Sequence, residues 1–459
     1  MDDWRGRKAV ILGLARQGKA LARYLAGKGA EVVLSDIKPA EALRSELEEL
    51  ADLQLTYALG GHPAEMLEGT DMLFLSGGVP ADLPLVNQAH AAGIPVANDA
   101  QLFLERTQAT VIGITGSAGK TTTTSLVAEM GRIGFEEPGR RVWLGGNIGY
   151  PLIAALDDMQ RGDLAVMELS SFQLELMTRS PQIAAVLNLR PDHLDRHGEM
   201  ASYRRAKARI LRFQKKDHTA LLSCSDPSTW ELRSLVRGRL LAFGRDLPEG
   251  HEGGLIEDGE LRLRIADEEK VICASEQVSM RGPHNRLNVL AASVLAFTAG
   301  VPLDAIRHVA CTFKGVPHRL ELVRRVRGAD WYNDSIATTP DRSIAAIESF
   351  EQPLVLLAGG RDKNLDWSDF AEIVQKRVKL VVLFGEAAGK IEQSIDDARA
   401  PESRTAIRRV PDLQSAVDLA AELAREGDVV LLSPGGTSFD EFKNYEARGE
   451  QFRRMVKAI

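Results

Sequence analysis

Short apolar runs alternate with amphipathic stretches at the start of the chain. Residues 8–12, 31–35 and 72–75 are apolar runs of strand length, and residues 18–28 repeat apolar positions at helical spacing. Strands that alternate with helices in this way form a parallel sheet covered by helices. The pattern therefore predicts an α/β fold for this part of the chain.

A second α/β unit begins near Thr110, with predicted strands at residues 163–167 and 183–189. Residues 240–274 then form short, alternating, turn-rich segments, which are typical of antiparallel strands added to a main sheet. A helix near residues 285–299 completes this unit. The sequence thus predicts a central sheet with a small antiparallel addition.

A segment rich in glycine and proline at residues 315–319 predicts a linker before a third unit. Strands at residues 354–357, 378–384 and 429–432 give this unit the same α/β rhythm. At roughly 150 residues per domain, a chain of 459 residues holds about three domains. We predict a Rossmann-like N-terminal domain, a central domain and a Rossmann-like C-terminal domain, at residues 1–108, 109–315 and 316–459.

Composition argues against several classes of function. The chain is 44% apolar and 26% charged, with a formal net charge of −7, whereas a nucleic-acid surface needs clustered Lys and Arg. Cys224, Cys273 and Cys311 form neither a disulfide framework nor a metal-ligand spacing, which fits a reducing compartment. We see no cleavable signal and no apolar run near the roughly 18 residues of a membrane span. We expect a cytoplasmic monomer with no nucleic-acid or membrane partner.

The strongest chemical signal lies in residues 111–122, where an apolar strand runs into a glycine-rich turn ending in Gly-Lys-Thr. Glycines let backbone N–H groups converge on phosphate oxygens, and the following helix points its positive end at the anion. In such turns the lysine reaches the outer phosphates and the threonine hydroxyl binds Mg²⁺. The central domain is therefore predicted to hold a P-loop-type ATP-binding sheet. The candidate ATP contacts are Gly116, Ser117, Ala118, Gly119, Lys120, Thr121 and Thr122.

The turn matches the phosphate-loop pattern imperfectly. Ile114 stands where the pattern has its first glycine, and the nearest glycine is Gly113. A glycine-rich turn between a strand and a helix also occurs for packing alone. The Gly-Lys-Thr-Thr sequence directly after an apolar strand favours phosphate binding.

The first turn of the N-terminal domain is a variant of the dinucleotide-binding fingerprint. Residues 13–18 read Gly-x-Ala-x-x-Gly, and Asp36 ends the second strand, where a ribose or base contact is expected. Glycines at this spacing also occur where they only allow a turn and a helix to pack closely, without a nucleotide. The sequence therefore predicts a nucleotide-like crevice and leaves its ligand open.

Polar residues follow two further strands of the central domain. Glu168 ends a buried strand and is a candidate Mg²⁺ ligand, although a carboxylate at such a position also caps helices. Residues 188–197 contain two histidines and two aspartates, which favours a metal or phosphate role for His193 over a structural one. His197 is favoured as structural, and Lys207 is predicted from its residue type to be a surface lysine.

The C-terminal unit carries two more groups of candidate residues. Residues 316–321 and 331–335 place an arginine and an aspartate at a domain junction, where they bind a nucleotide or form a salt bridge. Residues 357–363 and 432–438 are strands that open into loops of small residues, whose N–H groups suit a carboxylate-bearing substrate. The side chains that accompany those N–H groups are Lys363 and Ser438.

Taken in order, these motifs resemble those of the Mur ligases over essentially the whole chain. Eight segments carry the resemblance, and they follow the order found in that family. They are residues 115–121, 145–149, 168–173, 192–197, 284–288, 317–319, 333–335 and 433–444.

The resemblance implies a three-domain fold and an ATP- and Mg²⁺-dependent reaction. In the implied reaction, ATP phosphorylates the terminal carboxylate of UDP-N-acetylmuramoyl-L-alanine, and the amine of D-glutamate attacks the acyl phosphate. The product is a cytoplasmic precursor of peptidoglycan, which links the protein to cell wall biogenesis, cell shape and cell division.

The resemblance also assigns roles to individual residues. The catalytic and metal-site residues it implies are Lys120, Thr121, Glu168, His193 and Lys207, with Lys207 carbamylated. The residues implied for ATP beyond the turn are Asn285, Asn288, Arg319 and Asp334. Those implied for the UDP substrate are Leu14, Ala15, Arg16, Asp36, Ile37, Gly77 and Asn147. Those implied for glutamate are Thr338, Lys363, Ser438 and Tyr445.

Two departures from the family pattern concern substrate binding. Ile336 stands where the commoner sequence has a lysine, which removes a positive charge near the amino-acid site and leaves D- or L-glutamate open. Gly77 replaces a proline in the first domain. The alternatives are a folylpolyglutamate-synthase-like ligase, against which the nucleotide-like first domain argues, and a non-enzymatic P-loop module.

Overall fold

The chain folds into sheets covered by helices, as described by a computed structural model. The structure describes residues 4–135, 139–190, 198–266, 268–280, 282–362, 365–399 and 405–459. Within these residues the strands form three separate sheets. Two of them lie in one compact unit, Met1–Phe313, and the third lies in a second unit, Lys314–Ile459. The predicted α/β class is confirmed, and the limits of the three domains remain predictions.

The first sheet is parallel throughout, with the strand order β3-β2-β1-β4-β5. Its strands are β1 (Lys8–Leu12), β2 (Glu31–Asp36), β3 (Thr56–Leu59), β4 (Met72–Leu75) and β5 (Val96–Ala97). Helices α1 (Arg16–Gly27), α2 (Arg44–Glu48), α3 (Pro84–Ala91) and α4 (Asp99–Arg106) accompany it, with 3₁₀ turns at Ala40–Leu43 and Ala64–Leu67. The strand order reverses direction at β1, and ligands bind open α/β sheets at such a point.

The second sheet has the strand order β14-β13-β12-β11-β10-β9-β6-β8-β7. Its strands are β6 (Thr110–Thr115), β7 (Val142–Gly146), β8 (Leu164–Glu168), β9 (Ile183–Val186), β10 (Thr219–Ser223), β11 (Arg239–Phe243), β12 (Glu252–Glu257), β13 (Glu260–Ile265) and β14 (Glu268–Ala274). The predicted antiparallel addition is confirmed for β12, β13 and β14. The predicted segment, residues 240–274, starts one strand too early, because β11 pairs parallel with both β10 and β12.

Helices cover this second sheet, and part of its core is shared with the first sheet. The helices are α5 (Lys120–Gly134), α6 (Ser171–Leu176), α7 (Met200–Arg212), α8 (Pro227–Trp230), α9 (Pro283–Thr298) and α10 (Leu303–Thr312), with 3₁₀ segments at Leu152–Asp158, Glu231–Leu235 and Ser275–Gln277. Apolar residues of α1 and of the Leu152–Asp158 segment belong to one buried cluster. Lys28 Nζ lies 2.6 Å from an Asp157 carboxylate oxygen across the same junction.

The third sheet, in the second unit, has the order β15-β16-β20-β17-β18-β19 and is parallel except for the β15–β16 pair. Its strands are β15 (Glu321–Val326), β16 (Ala329–Asn333), β17 (Leu354–Gly359), β18 (Val378–Phe384), β19 (Ala406–Arg409) and β20 (Val429–Gly435). Its helices are α11 (Pro340–Glu348), α12 (Ser368–Arg377), α13 (Ala388–Asp397), α14 (Leu413–Leu423) and α15 (Tyr445–Ala458). Among the helices described, none is long and apolar enough to cross a membrane.

Both glycines of the first-domain fingerprint have structural reasons. Gly13 adopts φ +96°, which side chains rarely allow. A Cβ on Gly18, in the first turn of α1, would overlap the carbonyl oxygen of Gly13. The fingerprint is therefore explained by close packing of turn and helix.

We predict that Gly18→Ala lowers the free energy of unfolding by roughly 1–3 kcal/mol, because the added methyl group displaces the preceding turn. The matched control is Gly27→Ala at the other end of the same helix, where no atom lies within 4 Å of the added Cβ. That change is expected to be neutral or to stabilise by up to about 1 kcal/mol. Equal effects in urea unfolding would contradict the packing argument.

Candidate active site

The glycine-rich turn joins the end of β6 to the start of α5. Gly116 and Gly119 adopt φ +156° and φ +83°. A Cβ on Gly119 would overlap the side-chain amide of Asn288, and one on Gly116 would lie 3.0 Å from Leu187 Cβ. Ile114 is a buried residue of β6 and precedes the turn, which explains why the usual glycine is not needed there.

Protein contacts fix the shape of this turn. The backbone N–H groups of Ser117 and Ala118 donate to the backbone and side-chain oxygens of Asn188, at 2.9 and 2.8 Å. Asn188 Nδ2 returns a bond to the Ala118 carbonyl at 2.9 Å. The Ser117 hydroxyl lies 3.0 Å from the Tyr203 hydroxyl. Because a helix leaves its first N–H groups without internal acceptors, the start of α5 supplies donors beside this turn.

Two amines converge on one carbonyl oxygen of the turn. Lys120 Nζ and Lys207 Nζ each lie 2.9 Å from the Gly116 carbonyl oxygen, and Lys207 Nζ also lies 3.3 Å from Thr115 Oγ1. The prediction of a surface lysine is wrong, because Lys207 is only 1% exposed. It belongs to the buried face of α7, together with Tyr203, Ala206, Ile210 and Leu211.

Thr121 and Glu168 lie together at the end of the turn. The Thr121 hydroxyl donates to Glu168 Oε2 at 2.7 Å, and Asn147 Nδ2 donates to Oε1 at 3.0 Å. The alternative that Glu168 caps α6 is wrong, since Ser170 and Gln173 form the capping box of that helix.

The hydroxyl and carboxylate oxygens of Thr121 and Glu168 fit Mg²⁺, which takes hard oxygen donors and few protein ligands. In the described ranges no group of three His, Cys, Asp or Glu side chains is placed to hold a metal by itself. Mg²⁺ commonly takes phosphate and water oxygens beside one or two protein ligands. His193, with the rest of residues 191–197, lies outside the described residues.

Asn285 and Asn288 occupy the first turns of α9. Asn288 Nδ2 donates to Asn285 Oδ1 at 3.1 Å, and the Asn288 amide lies against Gly119. Thr122 is buried in the first turn of α5. The structure thus brings both asparagines predicted for ATP next to the glycine-rich turn.

Six of the seven residues predicted for the UDP substrate lie at the carboxyl edge of the first sheet, and the seventh, Asn147, follows β7 of the second sheet. Asp36 accepts the backbone N–H groups of Leu14 and Lys38, at 2.9 and 3.0 Å. Gly77, after β4, donates its N–H to Gln17 Oε1 at 2.8 Å. The remaining candidates are Ala15 at the N-cap of α1, Arg16, whose Nη1 donates to the Gly149 carbonyl at 2.8 Å, and Ile37, which is exposed.

The residues predicted for glutamate follow adjacent parallel strands of the third sheet. Thr338 follows β16, Ser438 follows β20, and Tyr445 begins α15. The Ser335 hydroxyl donates to the Tyr445 carbonyl at 2.8 Å and so links two of these loops. Lys363 follows β17 in the sequence and is outside the described residues.

Comparison with known proteins gives the family. Three family models match: "Mur ligase MurD-like, N-terminal domain" over residues 7–98, "Mur ligase middle domain" over 114–296, and "Mur ligase, glutamate ligase domain" over 318–436. The chain is 39% identical to the UDP-N-acetylmuramoylalanine–D-glutamate ligase of Thermoanaerobacter pseudethanolicus, over 100% of this chain and 99% of the relative. The corresponding ligase of Symbiobacterium thermophilum is 40% identical over 98% of each chain.

The chain belongs to the Mur ligase family. It is accordingly an ATP-dependent ligase that forms amide bonds. Solved structures agree on the fold. The MurF ligase of Thermotoga maritima in complex with ADP has a TM-score of 0.55 at 19% identity, covering 100% of both chains. The UDP-N-acetylmuramate-alanine ligase of the same organism has a TM-score of 0.56 at 20% identity, covering 98% of this chain and 99% of that one.

Arg448 of this Mur ligase is a functional candidate that the sequence predictions missed. It lies on the buried face of α15 and is 1% exposed. Its guanidinium donates to the Ser335 hydroxyl and carbonyl, at 3.0 and 2.9 Å, and to the Gly436 carbonyl at 3.2 Å. Burial lowers its pKa to about 10. The signal in the sequence was an arginine at a position where the helical repeat, continued by Phe452 and Met455, predicts an apolar residue.

Asp334 is buried at the end of β16. Its carboxylate accepts the Leu320 N–H at 3.1 Å and the Ser433 hydroxyl at 2.9 Å, so it binds the chain that enters this unit. Burial raises the pKa of Asp334 to about 7, while these bonds and the charge of Arg319 oppose the rise. The nucleotide contact and the salt bridge both stay predictions for this residue.

We predict that Asp334→Asn raises the stability of the second unit at pH 8. Because the folded-state pKa, about 7, exceeds the ordinary 3.8, the carboxyl stabilises the fold at low pH and that stability is lost as pH rises toward 7. The increase in the free energy of unfolding caused by Asp334→Asn should therefore grow between pH 5 and 8, to roughly 2–4 kcal/mol. Thermal unfolding against pH measures it, with exposed Asp369→Asn as the control. A gain that does not change with pH would contradict the assignment.

Proposed function

We propose that this Mur ligase adds D-glutamate to UDP-N-acetylmuramoyl-L-alanine, using ATP and Mg²⁺. One observation carries the choice of substrates: relatives bearing the name of that ligase are 37–40% identical over nearly the whole chain. We place the reaction in the cytoplasm, in the synthesis of peptidoglycan precursors, and so in cell wall biogenesis and cell division.

The chemistry begins with a poor electrophile, because a carboxylate at neutral pH resists attack by an amine. The terminal carboxylate of the substrate takes the γ-phosphoryl group of ATP, giving an acyl phosphate and ADP. The amine of glutamate then attacks the carbonyl carbon, and the tetrahedral intermediate releases inorganic phosphate. The new bond is an amide, and one ATP is consumed for each bond.

The residues around the glycine-rich turn suit phosphoryl transfer. Such a reaction needs positioning and charge stabilisation more than covalent participation by the protein. Lys120 and the first N–H groups of α5 offset negative charge on the phosphates. Asn147 fixes one oxygen of Glu168.

Thr121 and Glu168 would hold Mg²⁺, together with His193 by resemblance to the family. A bound Mg²⁺ neutralises charge on the transferring phosphoryl group. We also propose that Lys207 is carbamylated, that is, its neutral amine adds to CO₂ and releases one proton. The amine sits beside the turn and is buried, so a carbamate there would place one negative charge, shared by two oxygens, close to the phosphate site.

A second candidate, the same ligation with L-glutamate, is favoured by one residue. Ile336 stands where the commoner sequence has a lysine, in the loop between β16 and α11.

We also propose that the incoming amino acid binds to the loops after β16, β17 and β20, with Thr338, Lys363, Ser438 and Tyr445.

Phosphate release with UDP-N-acetylmuramoyl-L-alanine, ATP and either enantiomer of glutamate tests the proposal. We expect release with D-glutamate at least about 100-fold faster than with L-glutamate, since a mispositioned amine loses the alignment that attack requires. The reverse preference would establish the second candidate. Amino-acid-independent ATP hydrolysis would contradict both.

In the same assay Lys120→Ala is expected to lower the rate by at least about 100-fold, because a charge that stabilises the transferring phosphoryl group is lost. The matched control is Lys216→Ala, which removes an exposed lysine from the same unit. Near-normal turnover by Lys120→Ala would contradict the role of the glycine-rich turn.

Carbamylation of Lys207 makes a separate prediction. Lys207→Ala should lose nearly all activity and regain part of it when formate or acetate is added, since a small carboxylate can occupy the space of the carbamate. Lys120→Ala should gain nothing from the same additions. Inactive Lys207→Ala without rescue, or full activity without additions, would contradict carbamylation.

A further inference from the structure

The loop after β3 lies at the carboxyl edge of the first sheet, next to the residues proposed for the UDP substrate. It consists of Gly60, Gly61 and His62. The N–H groups of Gly60 and Gly61 donate to the Asp36 carbonyl at 3.0 and 3.2 Å. Ligands of open α/β sheets bind outside the carboxyl ends of the strands, so this loop borders the expected nucleoside position.

Protein hydrogen bonds already occupy part of the acceptor capacity of Asp36. In Rossmann-like sheets the acidic residue after the second strand accepts hydrogen bonds from ribose hydroxyls. In this protein one carboxylate oxygen accepts the Leu14 N–H and the other accepts the Lys38 N–H. A further acceptor at this edge would supplement Asp36.

Hydrogen bonding around Ser35 sets the tautomer of His62. The buried Ser35 hydroxyl lies 3.1 Å from the Gly61 carbonyl oxygen and 2.8 Å from His62 Nδ1. A carbonyl oxygen only accepts, so both contacts are hydrogen bonds only when the single hydroxyl proton goes to Gly61 and His62 Nδ1–H donates to Ser35. In the neutral ring Nε2 is then an acceptor.

The surroundings of His62 agree with a neutral ring and an accessible site. Partial burial lowers the pKa of His62, while the Asp36 charge opposes that change. Gly60 and Gly61 have open space where side chains would otherwise stand. Ile37, the neighbour of Asp36, is 69% exposed and offers an apolar surface at the same edge.

We propose that His62 is a binding residue for the nucleoside part of the UDP substrate, and that its Nε2 accepts a hydrogen bond from a ribose hydroxyl or from the uracil N3–H. The inference rests on the proposed UDP substrate. The ribose hydroxyl and the uracil N3–H are both hydrogen-bond donors, and each can be removed from the ligand separately.

Two substitutions separate binding from a structural role. His62→Gln places an amide near Nε2, whereas His62→Asn places one near Nδ1 and keeps a partner for Ser35. We expect Asn to raise KM for UDP-N-acetylmuramoyl-L-alanine by about 3–10-fold, as for one lost hydrogen bond, with Gln closer to the parent enzyme. For both variants, kcat and KM for ATP and glutamate should stay unchanged.

Modified nucleotides identify the donor. UDP, 2′-deoxy-UDP, 3′-deoxy-UDP and 3-methyl-UDP would be compared as ligands of the parent enzyme and of His62→Asn by calorimetry. Loss of the true donor should weaken binding to the parent enzyme and leave binding to His62→Asn unchanged. A penalty that is equal in both proteins for every analogue would overturn the proposal.

Two further outcomes would also decide against it. If Gln impairs the enzyme and Asn does not, His62 acts only through Ser35. If both variants lose thermal stability without a selective change in KM, the role is structural. Failure of the proposed function is distinguishable, because the parent enzyme would then neither bind UDP nor turn over the UDP substrate.

Discussion

The turn between Thr115 and Lys120 leaves little space for a side chain at Gly116 and none at Gly119, and the rest of the central site depends on that constraint. Its backbone angles bring the Gly116 carbonyl to two lysine amines and begin α5 directly behind. Asn288 can pack on Gly119 only because no Cβ intervenes. A side chain at Gly119 would thus displace Asn288, and one at Gly116 would press on Leu187.

The sequence predicted the sheets well where both faces are covered by helices. Strands such as β1, β4 and β18 have the predicted ends, because buried parallel strands are unbroken apolar runs. Pairing direction was harder to predict. Residues 240–243 were predicted together with the antiparallel segments, but they form an apolar run that pairs in parallel after a helix and a 3₁₀ segment.

Residue types alone indicated candidate site residues where a motif has a fixed spacing, as in residues 116–121, but not where a charge is buried by tertiary packing. Lys207 and Arg448 both occupy buried faces of amphipathic helices, where the repeat calls for an apolar side chain. Residue type suggested a solvated surface, yet position in the repeat indicated burial. Since burying a charge is costly, such residues persist where fixed partners or a ligand offset that cost.

Two arginines supply positive charge near Ile336, which replaces the lysine of the commoner sequence. Arg448 donates to the Ser335 carbonyl at 2.9 Å, and Arg342 donates to the Ile336 carbonyl at 3.3 Å. Two guanidinium groups therefore flank consecutive carbonyls of the loop, so positive charge remains there without a lysine. A guanidinium held by backbone hydrogen bonds keeps one position, whereas a lysine ammonium moves over several rotamers. Discrimination between glutamate enantiomers in this protein should then depend on the shape of the loops more than on a mobile charge.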